Sequence, residues 1–456
     1  MKTILLLLNL ILTITVHART WTDLKGRKVE ATVVQVKPNQ TVTLKTSHGK
    51  TITVPFSTFV PADVKILKNL LVQPKNLSDV PWEKMNEIFG VEIWQDNSLW
   101  DDPTAETAKR MHLRKESKTA FLENYRAYPM GKINILNSPA FAVALYGGTD
   151  YVNSISIVFL NLGDISIPDD QMSSDLLKEI NKKIKVTGER LCDRLTSILG
   201  EPQRDSLGKS HLREKVWRWD WNGHAVMVSL QEGKYVALRI MPIDRADRGG
   251  RSQKINDDTL KARLASCVER KSNGDVLIKN VPMIDQGPKG YCSPATWERN
   301  LRFMGIPADM YLLALAAHTG VGGGTVSSEI IRVSKNIIST NGRKLKEING
   351  KVSIRSIAKY IDQGLPIMWR LMSTPSFQQA ANNNTARRNG KEIHENNSGQ
   401  AEDTGSGGHI CLIIGYNKKT NEVAISDSWG ARFAVRWVPL ANIQTATNGK
   451  MSVITW

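Results

Sequence analysis

The sequence predicts a multidomain α+β protein, on three observations. Between residues 29 and 54, Val, Thr and Leu alternate with polar residues in short runs parted by Lys-Pro-Asn-Gln and Ser-His-Gly-Lys turns, the pattern of a β-meander. From 176 to 199, Leu and Ile recur at helical spacing, and three strand-like runs follow at 216–221, 225–230 and 235–240. Further on, a Gly/Pro-rich turn at 285–294 delivers a cysteine to a helical segment at 295–304, and an apolar strand follows a histidine at 409. At 456 residues the chain has room for two to four domains, each with its own core.

Met1-Lys2, the uncharged and largely apolar run 3–16 and then Val16-His17-Ala18 read as a signal peptide over 1–18, with a small residue at the cleavage point. The run is short for a membrane span, and no later stretch reaches the length of one. The expected address is secreted or periplasmic, with no transmembrane span after cleavage. Residues 19–72 are the meander unit, closed by a short helix opening at Pro61-Ala62-Asp63, and Trp21 and Phe56 are read as its core. Residues 79–244 are an α+β region without a legible function. Its long helix stops at Gly200-Glu201-Pro202, and Asn222-Gly223 marks a hairpin. Trp217, Trp219 and Trp221 alternate onto one face. They could form a platform for sugar or peptide, but a sheet packed on the preceding helix is the preferred reading. The polar, basic stretch 245–258 reads as a linker to a last region, 259–456. Within it, 371–408 is poor in apolar residues and reads as a long insertion, either a lid or a surface excursion.

The net charge is +17. An acidic surface or cell-envelope polymer is one partner such a charge would suit, although a solvated basic surface is the simpler reading. The basic residues are scattered without nucleic-acid motifs, so no nucleic-acid partner is expected. No metal-ligand spacing or cofactor motif is present, and none of either is expected. Four cysteines, 192, 267, 292 and 411, are too few for a disulfide framework; Cys192 and Cys267 are the one plausible pair.

The chemistry concentrates in Asp285-Gln286-Gly287-Pro288-Lys289-Gly290-Tyr291-Cys292-Ser293-Pro294-Ala295. A thiol at a helix N-terminus sits in the positive end of the helix dipole, which favours the thiolate. Gln286 offers a side-chain amide donor. Gly407-Gly408-His409 places an imidazole at the mouth of the apolar strand 410–415, and the next strand ends in Ser426-Asp427-Ser428-Trp429-Gly430. Thiol, imidazole, carboxylate and amide are the parts of a cysteine-nucleophile acyl-transfer site.

Gln-Gly-x-x-Gly-x-Cys, Gly-His before an apolar strand and Asp-Ser-Trp-Gly together resemble the papain-like cysteine peptidases. The Asp at position 427, where papain itself has Asn, is more similar to the C39-like branch. Ser293-Pro294-Ala295 departs from the papain run after the nucleophile. The resemblance implies a papain-like fold over roughly the last 180 residues. It also implies a peptide or protein substrate and four site residues: Cys292 as nucleophile, His409 as base and acid, Asp427 orienting the imidazole and Gln286 as oxyanion donor. Trp429 would then shield the His–Asp contact from water. Separately, the Arg19-Thr20-Trp21-Thr22 and Asp23-Leu24-Lys25-Gly26-Arg27 run with its meander resembles an SHD1 domain, which implies a small SH3-like β-barrel. Two alternatives stay open: a cell-wall peptide amidase or acyl transferase on the same fold, and a catalytically inactive binding protein, which would have an unreactive Cys292.

Overall fold

A computed structural model of the chain describes residues 19–37, 41–71, 80–127, 133–161, 173–208, 213–231, 234–252, 254–287, 290–317, 319, 324–391, 407–449 and 451–456. The segment read as a signal peptide lies outside the described residues. The chain divides into two compact units, 1–79 and 80–456.

In the first unit, β1 (Arg19–Thr22), β2 (Lys28–Lys37), β3 (Thr41–Thr46) and β4 (Thr51–Pro55) form an antiparallel sheet in that order, followed by α1 (Pro61–Leu71). Alternation sets its inner face: Trp21, Val33, Val42 and Leu44 are buried with Phe56 and Leu67. Asp63, in the first turn of α1, fastens helix to sheet by accepting from Arg19 Nη2 at 2.6 Å and the Thr22 N–H at 2.7 Å. Among the described residues β1 and β4 do not pair; a bridge between Asp23 and Phe59 brings the chain after β4 back to the end of β1.

The second unit opens with α2 (Trp82–Phe89), α3 (Thr104–Arg110), β5 (Arg114–Lys118), β6 (Glu123–Ala127), β7 (Asn134–Ile135) and β8 (Ser138–Pro139). Then come β9 (Ala142–Gly147), β10 (Val152–Asn161), α4 (Ser174–Leu199), β11 (Gln203–Leu207), β12 (Glu214–Trp221), β13 (His224–Gln231), β14 (Tyr235–Pro242) and α5 (Ile243–Asp247). Eight of these strands make one antiparallel sheet, ordered β11-β12-β13-β14-β10-β9-β6-β5. The Asn222-Gly223 hairpin sits where its dipeptide predicts, both residues at positive φ as a type I′ turn requires. Helix α4 begins at Ser173, whose side chain accepts from the Leu176 N–H, and buries Ile180, Ile184, Gly188, Leu191, Leu195 and Leu199 against β12–β14. Gly188 is the point of closest approach: a Cβ there would lie 2.8 Å from Leu230 Cδ1. Trp219 and Trp221 are buried, donating to the Gly200 and Val80 carbonyls, and Trp217 lies under Arg204. Trp219 thus meets the C-terminal end of α4, while Trp221 packs on Trp94 and His224.

The remaining elements are α6 (Asp257–Ala265), β15 (Val268–Arg270), β16 (Asp275–Ile278), α7 (Cys292–Phe303), α8 (Met310–Ala316), α9 (Ser327–Thr340) and β17 (Lys344–Ile348). They continue with α10 (Ile354–Ile361), β18 (Ile367–Ser373), α11 (Pro375–Arg388), β19 (Gly407–Asn417), β20 (Glu422–Ser426), β21 (Arg436–Pro439), α12 (Leu440–Ala446) and β22 (Met451–Thr455). The second sheet runs β15-β16-β19-β18-β22-β17, with β20 and β21 branching from β19. β19 is apolar on both faces because it is central, flanked by β16, β18 and β20 and covered by α7 and α10.

Residues 80–456 pack as one unit. The far face of the first sheet, at Ala142, Val158, Tyr235 and Ala237, shares a core with Tyr291, Ala295, Met310 and Tyr311 of the α7–α8 segment. Residues 245–258, expected as a linker, begin inside α5, where Arg245 is buried. Two other expectations need correction. All four cysteines are free, so Cys192 and Cys267 do not pair. Within 371–408, residues 375–388 are helical: Thr374 caps the Phe377 N–H, Pro375 occupies the first turn, and Phe377, Gln378, Ala381 and Asn384 are buried. Residues 392–406 of that stretch lie outside the described residues.

Candidate active site

Cys292 is the first residue of α7. The preceding Tyr291 offers no side-chain cap, so the helix's first N–H groups and its dipole act on the thiol itself. Thr296, one turn on, donates to the Ile410 carbonyl at 3.0 Å and locks α7 against β19 beside His409. Arg299, fully buried in the same helix, donates to the Pro282 carbonyl at 2.6 Å and to Ser426, its carbonyl at 3.0 Å and its hydroxyl. One helix thus fixes the cysteine, the turn before it and the end of β20, where the aspartate stands.

His409 is buried on β19 and on one side interacts with Cys292 at the cavity they both line. On the other, its Nε2 lies 2.9 Å from Asp427 Oδ1. Trp429 stacks on the imidazole, with centroids 4.4 Å apart and planes 22° from parallel. The turn that puts it there passes through Gly430 at φ 92°, a conformation that favours glycine. The ring covers one face of the imidazole. Cys411, two residues along β19, is fully buried in the core.

The electrostatics separate Cys292 from the other thiols. Burial pushes Cys192 up to about 12, raises Cys267 and raises Cys411 well above the ordinary thiol range. At Cys292 burial acts in the same sense, but the hydrogen bond and charge of His409, with backbone bonds at Ile410 and Ser293, outweigh it and lower the pKa. Burial opposes the imidazolium too, yet Asp427 and Cys292 bring His409 up to about 9. Asp427 is held down to about 2: burial raises it, and the Arg436 guanidinium with His409 more than offsets that. These shifts favour the thiolate–imidazolium pair.

Arg436 is the residue that sequence reasoning missed. The β20–β21 register sets Ile425 opposite it, which brings its guanidinium onto the far side of the carboxylate. Nε donates to Asp427 Oδ2 at 3.0 Å and Nη2 donates to the same oxygen, while Nη1 reaches Gln378 Oε1 at 2.7 Å. Asp427 is therefore clamped between imidazole and guanidinium, and α11 supplies the outer support.

Gln286 is held by Ser428, the residue after Asp427. Its N–H donates to the Ser428 carbonyl at 2.8 Å, and Ser428 Oγ donates to Gln286 Oε1 at 2.7 Å. That bond fixes Oε1 as the acceptor end of the amide, so the donor end is Nε2. A cavity of about 290 Å³ lies beside Cys292 and His409, which line it with Trp297, Met368, Arg370 and Gly449 among others. Among the described residues, no His/Cys/Asp/Glu cluster could hold a metal, and no helix is long and apolar enough to cross a membrane.

Among solved structures, xylellain, a cysteine protease from Xylella fastidiosa, is similar at 14% identity and a TM-score of 0.27, over 42% of this chain and 88% of that one. No curated protein matches the chain. The model of the Peptidase_C39-like family covers residues 278–446, so the C-terminal region, with Cys292, His409 and Asp427 inside the match, is similar to C39-like peptidases.

Proposed function

We propose that the protein is an exported cysteine peptidase that cleaves peptide bonds through Cys292, His409 and Asp427. The observation that carries the reading is the order Cys292, His409, Asp427 across the site, with His409 bonded to Asp427, the thiol's pKa lowered and the imidazole's raised. The family match over 278–446 supports the peptidase class, and the apolar segment 1–18 supports export.

In the proposed reaction the Cys292 thiolate attacks the scissile carbonyl carbon. The developing oxyanion is met by the Cys292 backbone N–H, which at the first helical position has no intrahelical acceptor, and by Gln286 Nε2. His409, as imidazolium, gives its proton to the leaving amine, and a thioester to Cys292 remains. Neutral His409 then takes a proton from water, whose oxygen attacks the thioester and releases the acid. Asp427 keeps Nε2 engaged throughout, so Nδ1 is the nitrogen that serves the sulfur. Residues 19–71 are proposed to be an SHD1-type module presenting this region to a peptide or cell-envelope partner.

The test is to incubate the mature protein with a denatured protein mixture and read new N-termini by mass spectrometry beside Cys292→Ala. New termini made only by the wild type are expected. Their absence, with Cys292 demonstrably reactive, would point instead to amidase or acyl-transfer chemistry. Their absence with Cys292 inert would leave the binding-protein reading.

A further inference from the structure

Away from Cys292, a cavity of about 390 Å³ lies between the first sheet and helices α8 and α9. That is within the size range of small-molecule sites. Its two walls differ in chemistry. The helical wall carries an apolar strip, Leu312, Ala316, Val333 and Ile337, flanked by Arg332 and Asn336. The sheet wall carries Ser156 of β10 and Arg239 of β14, directly opposite each other in register and so on the same face.

Both of those side chains are about nine-tenths buried or more, and both hold unused hydrogen-bonding atoms. Arg239 spends Nη1 on Glu214, while among the described residues Nε and Nη2 have no partner, and neither has Ser156 Oγ. Nε–H and the adjacent Nη2–H form one edge of the guanidinium, the fork that accepts a carboxylate side-on. A buried donor left unpaired is costly, which makes three such atoms in one wall notable. The charge balance points the same way. Glu214 is already shared, accepting from Arg239, from Ser229 Oγ at 2.8 Å and from the Tyr235 hydroxyl. Arg245, also in the lining, is bound only by neutral oxygens, those of Gly250 and Asn153. Burial, with Arg248 and Arg239 nearby, lowers its pKa to about 10. With Asp309 the lining holds two carboxylates against seven Arg and Lys side chains, so positive charge predominates.

We propose that this cavity is a binding site for a small organic carboxylate with an aliphatic body. A small rotation of Arg239 turns its Nε–Nη2 edge, closed off in this structure, onto the carboxylate beside Ser156 Oγ, and the hydrocarbon lies along α8 and α9. The site is separate from the Cys292 cleft and does not depend on what that cleft does.

Octanoate is the probe, with octanol, acetate and octyl phosphate beside it, titrated into the full mature protein by calorimetry and followed by thermal unfolding. Octanoate is expected to bind saturably at one site and to raise the unfolding temperature. Octanol lacks the charge and acetate lacks the body, so each is expected to bind at least ~10-fold more weakly. Ser156→Ala removes a hydroxyl that has no partner, so the variant should fold normally and bind octanoate ~5- to 10-fold more weakly. Ala316→Phe fills the cavity from the helical wall and should abolish binding. Arg239→Lys keeps a charge for Glu214 but loses the fork. Equal binding of octanol and octanoate, no octanoate binding, or binding unchanged in both Ser156→Ala and Ala316→Phe would overturn the proposal. Tighter binding of octyl phosphate than of octanoate would overturn the choice of carboxylate.

Discussion

Replacing Asp427 with asparagine tests the electrostatic design of the site. His409 rises from an ordinary 6.5 to about 9, which corresponds to about 3 kcal/mol in favour of the imidazolium. Asp427 and the Cys292 thiolate share that work, so losing the carboxylate should remove on the order of half of it. A second effect adds to the first. Arg436 now compensates Asp427, and without the carboxylate its charge faces the imidazolium directly. Together these should lower the His409 midpoint by about one to two pH units, to about 7–8. The readout needs no substrate. Iodoacetate is anionic and drawn by the imidazolium, whereas iodoacetamide is neutral, so the ratio of their rates at Cys292 falls as His409 loses its proton. In the wild type that fall should centre near pH 9, and in Asp427→Asn one to two units lower. The single variant should also be destabilised by ~3–5 kcal/mol, because a buried guanidinium is left unpaired. Asp427→Asn/Arg436→Gln should recover much of that stability. Equal midpoints in wild type and Asp427→Asn would refute the claim that the carboxylate sustains the ion pair.

Three further expectations follow from the same contacts. Gln286→Ala should cut turnover of a peptide found in the cleavage screen by ~10²–10³-fold while leaving the alkylation rate of Cys292 unchanged, because an oxyanion donor acts only in the transition state; an equal loss in both would make Gln286 a structural residue. The pH dependence of stability has a definite sign. The raised pKa of His409 contributes stability that is complete below about 6.5 and lost as pH rises through about 9. The depressed pKa of Asp427 contributes stability present above about 3.9 and lost as pH falls through about 2. Urea midpoints across pH should therefore fall at both ends, and His409→Ala should flatten the alkaline limb. Finally, Glu298 is fully buried on α7, 2.7 Å from Arg126 and 3.1 Å from Arg302, and its other oxygen accepts from the Met310 N–H at 2.7 Å. Glu298→Ala should cost ~2–3 kcal/mol in chemical denaturation, since two buried guanidiniums lose one of the two carboxylates they share and keep Glu116; a loss under ~1 kcal/mol would show that the network carries little stability.

The residues of the proposed site were legible where a local pattern sets them apart. Cys292 follows a Gly/Pro turn and starts a helix, His409 opens an apolar strand, and Asp427 ends the next one; the packing of α7 on β19 and the pairing of β19 with β20 then bring the three together. The long helix α4 and the Asn222-Gly223 hairpin were equally plain, because periodicity and turn chemistry are local properties. Arg436 carries no such mark. It is one of 61 basic residues, and only the pairing of β20 with β21 singles it out. Helix α11 was hidden for a related reason. Its buried face is largely polar, with Asn384 bound to Glu422 Oε1 and the Trp437 carbonyl and Gln378 bound to Arg436, so the sequence lacks an apolar stripe. Nor could composition reveal that 80–456 is one unit, because the joint is made by residues far apart in sequence, Arg126 with Glu298 and Val158 with Tyr291.

The most direct test of the central claim is the rate of Cys292 alkylation by iodoacetamide between pH 4 and 9, with the modified cysteine located by mass spectrometry and His409→Ala run alongside. An unperturbed thiol has a pKa of about 8.5, and a histidine-paired one falls to roughly 3–4. Rapid labelling confined to Cys292 at about pH 5, and lost in His409→Ala, is the predicted result. Labelling that rises only near pH 8 in both proteins would contradict the thiolate–imidazolium pair and with it the proposed peptidase.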